Sequence, residues 1–379
     1  AIELKPDYAE AHSNLGKILN DIGKSKDAEL SYRKAIEIKP DYAEAHSNLG
    51  NIFNDLGKLN DAANSYRRVI DLKPLLVEAK INLNAIAVKE VPRWHIPMIN
   101  DYERNNSYFN AIKCAIKDNE YVLEIGTGSG LLSMMAIDAG AKKVITCETN
   151  KSLSEIAKKI IKKNGYPEKI TVINKKSTEL NLDTDLPQKA DLIISEIFSS
   201  ELVGEGIQSS ILDAKERLLK EDGKMIPEAG EIKFALLEKN SKIEDFCYTG
   251  IVNGYDLSDF NQVTGNKFII PVHHSNISFL SNINTAFSFD FYSENLIKRK
   301  EKIIKISVSK SGICLGLITW IKVNLYQNIY LENNPSCFND SHWSTPIYTF
   351  EKPLRFSKGD IISIKATLLE DKVWFELMK

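Results

Sequence analysis

Glu196, Glu201 and Glu205 fall within the stretch Ser-Glu-Ile-Phe-Ser-Ser-Glu-Leu-Val-Gly-Glu-Gly at 195–206. An apolar run, Ala-Asp-Leu-Ile-Ile at 190–194, precedes it and reads as a buried strand. Serines and glycines then break the strand, which puts Glu196 and Glu205 on a loop. In an open parallel sheet, the loops beyond the carboxyl ends of the strands form the ligand crevice. Two carboxylates at the ends of one folded-back loop can face a single cation. A guanidinium suits them, because it is planar, always charged and offers five N–H donors in a fork. The competing reading is a solvated acidic loop, and the rest of the chain decides between the two.

The elements that must position this loop are legible upstream. Tyr-Val-Leu-Glu-Ile at 121–125 is a short apolar strand, followed by Gly-Thr-Gly-Ser-Gly at 126–130 and a helix-compatible run at 131–139. Strand, glycine turn and helix open a βαβ unit, in which Gly126 and Gly128 let the backbone approach a ligand at a helix N-terminus. A second strand at 143–147 leads into Glu148, 22 residues after Gly126, where a carboxylate can accept hydrogen bonds from ribose hydroxyls. Dinucleotide and S-adenosylmethionine are the two ligands to weigh. The dinucleotide fingerprint places its third glycine at 131, which is Leu131. Glu124 ahead of Gly-x-Gly-x-Gly resembles motif I of the class I S-adenosylmethionine methyltransferases. On that resemblance Glu124, Gly126, Gly128 and Glu148 are expected to bind the cofactor.

Upstream again, Arg-Trp-His-Ile-Pro-Met-Ile-Asn-Asp-Tyr-Glu-Arg at 93–104, running on to Tyr108, resembles the cofactor-covering helix of the protein arginine N-methyltransferases. The 195–206 loop resembles that family's double-glutamate loop. Its two glutamates stand nine residues apart, which selects Glu196 and Glu205 over Glu201. The resemblance implies that His95 and Arg104 contact the cofactor, with Arg104 pairing to its carboxylate. It implies that Met98 lies against the substrate arginine, and that Ser177 and Thr178 sit by the adenine. Ser-His-Trp at 341–343 resembles the family's Thr-His-Trp loop, with Ser341 as a departure. His342 would pair with Asp101, and Trp343 would face substrate. The core motifs look most like the mono-methylating branch. The paired tyrosines of asymmetric dimethylating relatives would fall at 85–89, which reads Ala-Ile-Ala-Val-Lys.

Residues 1–16 recur almost verbatim at 35–50, an offset of 34, and a weaker copy starts at Val69. The period, with Leu15, Gly16, Ala28, Tyr32 and Pro40 recurring as Leu49, Gly50, Ala62, Tyr66 and Pro74, resembles the tetratricopeptide repeat. The chain opens inside a repeat, so an array truncated at its N-terminus is expected over 1–91. Asn14, Asn48 and Asn82 share one repeat position. A column of amides can pair with the backbone of an extended peptide whatever its sequence. It resembles the asparagine ladder of O-linked N-acetylglucosamine transferase, and is expected to hold substrate. The plainer reading is that these are copied surface residues.

After 228 the pattern changes to alternation, as in Phe287/Phe289/Phe291, Ile304/Ile306/Val308 and Ile362/Ile364/Ala366. Period two with turn signals such as Ser-Lys-Gly-Asp at 357–360 indicates an antiparallel sandwich or barrel. The expected architecture is therefore a helical repeat array (1–91), an α/β Rossmann-like S-adenosylmethionine-binding domain (92–227) and an antiparallel β-barrel (228–379). A polar, irregular dimerisation arm is expected at about 241–266.

Composition excludes several classes. A net charge of −2 and a pI near 6.4 argue against nucleic acid as the main partner. No apolar run reaches the ~20 residues that span a bilayer. Five cysteines without a C-x-x-C pair suggest reduced thiols, a cytoplasmic setting and no zinc site. The expectation is S-adenosylmethionine-dependent methylation of arginine in a protein or peptide recruited by the repeats, by a homodimer with no metal. The alternatives are a methyltransferase for a small cationic metabolite and a repeat scaffold with an inactive catalytic domain.

Overall fold

The 34-residue period folds as helix pairs: α1 (Ala9–Asp21) with α2 (Ser25–Ile38), then α3 (Ala43–Asp55) with α4 (Leu59–Leu72), then a closing helix α5 (Val77–Glu90). Small residues set the spacing within each pair. A Cβ at Gly16 or Gly50 would come within 2.8 Å of the buried ring of Tyr32 or Tyr66. The computed structural model describes residues 2–3, 5–117, 119–270, 277–293, 298–337 and 341–378. It divides into two units, Ala1–His95 and Ile96–Lys379.

The second unit takes over within α6 (His95–Asn100) and continues with α7 (Tyr102–Ala115). Five strands follow as a parallel sheet: β1 (Tyr121–Ile125), β2 (Lys143–Cys147), β3 (Ile170–Ile173), β4 (Ala190–Ser195) and β5 (Leu219–Ile226). Helices α8 (Leu131–Asp138), α9 (Lys151–Lys163) and α10 (Ile207–Leu218) connect them. The order β3-β2-β1-β4-β5 reverses between β1 and β4, the switch point at which an open α/β sheet binds ligands. β1 and β4 are near-continuous apolar runs, as a sheet covered on both faces requires.

The chain then enters antiparallel structure. β6 (Ala229–Glu238) is followed by α11 (Ser241–Cys247), the short hairpin β7 (Ile251–Val252) and β8 (Tyr255–Asp256), and β9 (Lys267–Ile270). β10 (Asn284–Asp290), β11 (Arg299–Ser307), β12 (Gly312–Tyr326), β13 (Ile329–Glu332), β14 (Thr345–Phe356), β15 (Ile361–Leu369) and β16 (Lys372–Leu377) complete it. One sheet has the order β10-β6-β12-β14-β9, with β13 paired to β12, and a second runs β11-β15-β16.

The last repeat helix ends at Glu90, the compact unit that contains it runs to His95, and the second unit holds both the parallel and the antiparallel sheets. The chain changes sheets at 227/228, but Ile193 and Ile226 of the parallel sheet share one apolar cluster with Ile232, Phe287 and Leu317 of the antiparallel one. The 241–266 segment is not simply polar and irregular. It carries α11, a hairpin and a 3-10 turn at Ser258–Gln262, with Phe246, Ile251, Tyr255, Phe260 and Val263 exposed.

Candidate active site

Asp101 organises the site from two directions. As the N-cap of α7, its Oδ1 accepts the backbone N–H of Arg104 at 2.9 Å. Its Oδ2 accepts the backbone N–H of His342 at 3.0 Å and lies 2.9 Å from the ring Nδ1. Burial alone would raise the Asp101 carboxyl. The hydrogen bonds from His342 and Arg104 outweigh it and hold the group below its ordinary value. An ionised Asp101 makes Nδ1 the donor, so Nε2 is the atom left to exchange a proton. Nε2 lies 4.0 Å from Glu196 Oε1.

Glu196 follows the carboxyl end of β4. Arg104 Nε donates to its Oε1 at 2.9 Å, Arg104 Nη2 meets its Oε2, and both side chains are almost fully buried. Arg104 Nη1 donates to Asn105 Oδ1 at 2.6 Å, and the guanidinium lies over the Tyr108 ring at 5.2 Å. The Tyr108 hydroxyl donates to the Ser195 carbonyl at 3.0 Å, which fixes the strand end before Glu196. Trp343 is buried, stacked on Phe198 at 5.4 Å and against His342 at 4.3 Å. In this structure its ring packs between protein side chains, against Phe198 and His342. Glu205 stands exposed at the far end of the loop, in the 3-10 turn Gly204–Gly206, with a left-handed φ of 62°.

The glycine loop lies at the ends of β1 and β2. Gly126, Gly128 and Gly130 all take positive φ. A Cβ on Gly126 would come within 2.7 Å of Ile197, whereas one on Gly128 would project into open space. Gly128 N–H donates to Glu148 Oε2 at 3.1 Å and Asn150 N–H to Glu148 Oε1 at 2.9 Å. Glu124 is fully buried and accepts from the Ser133 hydroxyl. Burial pushes its carboxyl up to about 7 against the hydrogen bonds of Ser133 and Thr146 and the Arg104 charge.

These residues fit S-adenosylmethionine. The left-handed glycine cradle is open above Gly128, and Glu148 Oε1 and Oε2 each keep acceptor capacity for a ribose hydroxyl. Arg104 is a buried cation able to meet a carboxylate. Ser177 and Thr178 lie in a 3-10 turn just after β3, with Ser177 buried and Thr178 exposed. Met98 is half-buried on α6. His95 closes the first unit, with its ring stacked on Trp94 at 3.9 Å and Nδ1 2.9 Å from the Pro92 carbonyl oxygen. Asn14, Asn48 and Asn82 occupy matching positions on α1, α3 and α5. Asn82 Nδ2 donates to Asn51 Oδ1 at 3.4 Å, an oxygen that also accepts from Tyr66.

The structure thus gathers Asp101, Arg104, Glu196 and His342 into one buried cluster, with Trp343 packed against His342. Sequence reasoning missed Asn105, Tyr108 and Phe198. The four-residue step from Arg104 to Tyr108 places both on one helix face and was the available signal. Among the described residues, no group of three or more His, Cys, Asp or Glu side chains is placed to hold a metal ion, and no helix is long and apolar enough to cross a membrane.

Family models match three parts of the chain. Tetratricopeptide repeat models match 16–54 and 43–74, the ribosomal protein L11 methyltransferase model matches 107–232, and the PRMT5 oligomerisation domain model matches 248–379. An arginine N(omega)-methyltransferase of Streptomyces achromogenes subsp. streptozoticus is 35% identical over 74% of this chain and 77% of its own. Protein arginine N-methyltransferase 7 of Xenopus laevis is 27% identical over 74% of this chain, which spans 45% of that relative's length. Among solved structures, the Trypanosoma brucei PRMT1 enzyme-prozyme heterotetrameric complex with AdoHcy matches with a TM-score of 0.64 at 24% identity, over 76% of this chain and 92% of that one, a likeness of fold.

Proposed function

The chain belongs to the arginine N-methyltransferase family, and from that premise we propose that its substrate is an arginine side chain in a polypeptide and its product monomethylarginine. S-adenosylmethionine supplies an electrophilic methyl group on a sulfonium. Gly126, Gly128, Glu148, Ser177 and Thr178 would hold its nucleoside end, Arg104 its carboxylate, and His95 and Met98 would cover it. The methyl bond to sulfur breaks as the bond to a terminal guanidinium nitrogen forms, and one N–H proton leaves.

The observation that carries this reading is Glu196, a buried carboxylate that already holds a guanidinium through two nitrogens. With Arg104 turned to the cofactor's carboxylate, Glu196 would be released from it, and Glu196 and Glu205 would take the N–H groups of the substrate and draw its charge away from the attacking nitrogen. Most of the acceleration would then come from holding the reacting atoms in line. His342, kept in one tautomer by Asp101, accepts the departing proton.

Mass spectrometry of arginine polypeptides incubated with S-adenosylmethionine tests this, with Glu205→Gln beside the parent. One added methyl on arginine, lost in the variant while cofactor binding persists, supports the reading. A variant with near-normal kcat/KM would sink it. A second reading has one specific support: the Streptomyces relative is named for arginine, not for protein arginine. Free arginine outperforming polypeptides in the same assay would favour it. A homodimer built through 241–266 in a reducing cytoplasm completes the proposal. A monomer by light scattering at working concentration would remove that part.

A further inference from the structure

Glu201 lies between the two glutamates of the proposed grip, and the reading above gives it no role. Its carboxylate is held from the antiparallel sheet. Lys267 Nζ, at the start of β9, donates to Oε2 at 2.6 Å, and the Tyr348 hydroxyl on β14 donates to Oε1. Lys267 and Tyr348 face each other in the β9–β14 ladder, and the ammonium lies over the Tyr348 ring at 5.3 Å. The Tyr348 oxygen also lies 2.9 Å from the Val373 carbonyl oxygen of β16. The two partners of Glu201 are therefore fixed relative to each other by backbone pairing. Burial and the Glu201 charge push the Tyr348 phenol up, which keeps it a donor.

The backbone beyond Glu201 is one that side-chain-bearing residues rarely adopt. Leu202 has φ 67° and Glu205 φ 62°. Such conformations persist only where the surroundings over-determine them. Packing supplies part of the constraint. A Cβ on Gly230 would come within 2.6 Å of Leu202 Cδ2, and one on Gly204 within 2.6 Å of Ser199 Oγ. Those contacts hold the turn laterally. The Lys267–Glu201–Tyr348 contacts are polar and directional, and they tie it to a second sheet. Lys267 is partly exposed, so the ion pair alone adds little to stability. Its effect is geometric.

We propose that Glu201, clamped by Lys267 and Tyr348, is a positioning residue that sets where Glu205 is presented to the substrate guanidinium. The proposal rests on the role given above to Glu205. The test compares Lys267→Met, Lys267→Arg, Tyr348→Phe and Glu205→Gln in the full chain, with an arginine polypeptide as substrate. Lys267→Met and Tyr348→Phe are expected to lower kcat/KM by about tenfold to hundredfold, as small misplacements of a catalytic group do. S-adenosylmethionine affinity by calorimetry should stay within about twofold of the parent, and Lys267→Arg should restore most of kcat/KM. A merely structural role would lower the melting temperature and leave kcat/KM per folded site unchanged, which overturns the proposal. An active Lys267→Met beside an inactive Glu205→Gln also overturns it while the grip stands. A normal Glu205→Gln removes the grip and the positioning role together. If Lys267→Met does not fold, Tyr348→Phe, which keeps the ring, decides by the same criterion.

Discussion

At the scale of single residues, the cluster is organised by what burial does to charge. Asp101 is ionised because three hydrogen bonds reach it, whereas Glu124 has only hydroxyl partners and the Arg104 charge against its burial, and burial wins. The two carboxylates therefore link stability to pH in opposite directions. The folded-state value of Glu124 is raised, so its contribution is fully present below its unfolded value and is lost as pH rises through about 7. Glu124→Gln keeps an acceptor for Ser133 and removes the titration. In cofactor-free protein, the variant should match the parent near pH 4, below the ordinary carboxyl value. It should exceed it by roughly 1–3 kcal/mol near pH 8. Denaturant unfolding at the two pH values reads the difference, and an equal gap at both would show that Glu124 does not titrate on its own in this range. The loop glutamates offer a second lesson. The family's nine-residue spacing is what distinguishes Glu205 from Glu201, and in the structure Glu201 is held by Lys267 and Tyr348.

At the scale of elements, what local chemistry encodes was readable and what distant contacts encode was not. The repeat helices announce themselves by period. Gly16 and Gly50 are small because Tyr32 and Tyr66 lie against them. Gly50→Ala should therefore cost about 1–3 kcal/mol, as overpacking does, even though alanine is the better helix former. A denaturant melt of the repeat unit's helical signal checks this, and an unchanged midpoint would mean the Tyr66 ring yields freely. The strand–glycine–helix start of the parallel sheet was legible for the same local reason, as was the strand before Glu196. The Asp101–His342 contact spans 241 residues and the Glu201–Tyr348 contact 147. The first was reachable only through a family motif. The second was not, because no pattern near Glu201 distinguishes a clamped carboxylate from a solvated one. The 241–266 segment misled for a related reason. Its apolar residues follow no period because α11, the hairpin and the 3-10 turn are each too short to show one.

At the scale of the whole molecule, the repeats lie in one compact unit and Asp101, Arg104, Glu196 and His342 in the other. The repeats can act on turnover only through binding. A site that captures one part of a long substrate raises the effective concentration of the rest at the catalytic unit. It therefore lowers KM for long chains and leaves kcat and short substrates untouched. If the first-helix asparagines provide that capture, Asn14→Ala, Asn48→Ala and Asn82→Ala combined should raise KM for an arginine-rich polypeptide by about tenfold or more. KM for free arginine should not move. The structure sharpens the expectation for one member of the column. Asn82 shares an acceptor, Asn51 Oδ1, with the Tyr66 hydroxyl. Its loss could therefore disturb repeat packing as well as binding, and Asn14→Ala with Asn48→Ala alone is the cleaner pair. A KM that rises only when Asn82 is included, together with a lower melting temperature, would assign the column to folding. A KM that rises with the pair, at constant melting temperature and constant kcat, assigns it to substrate capture. That result would also favour a polypeptide substrate over free arginine, since free arginine has no second part for the repeats to capture.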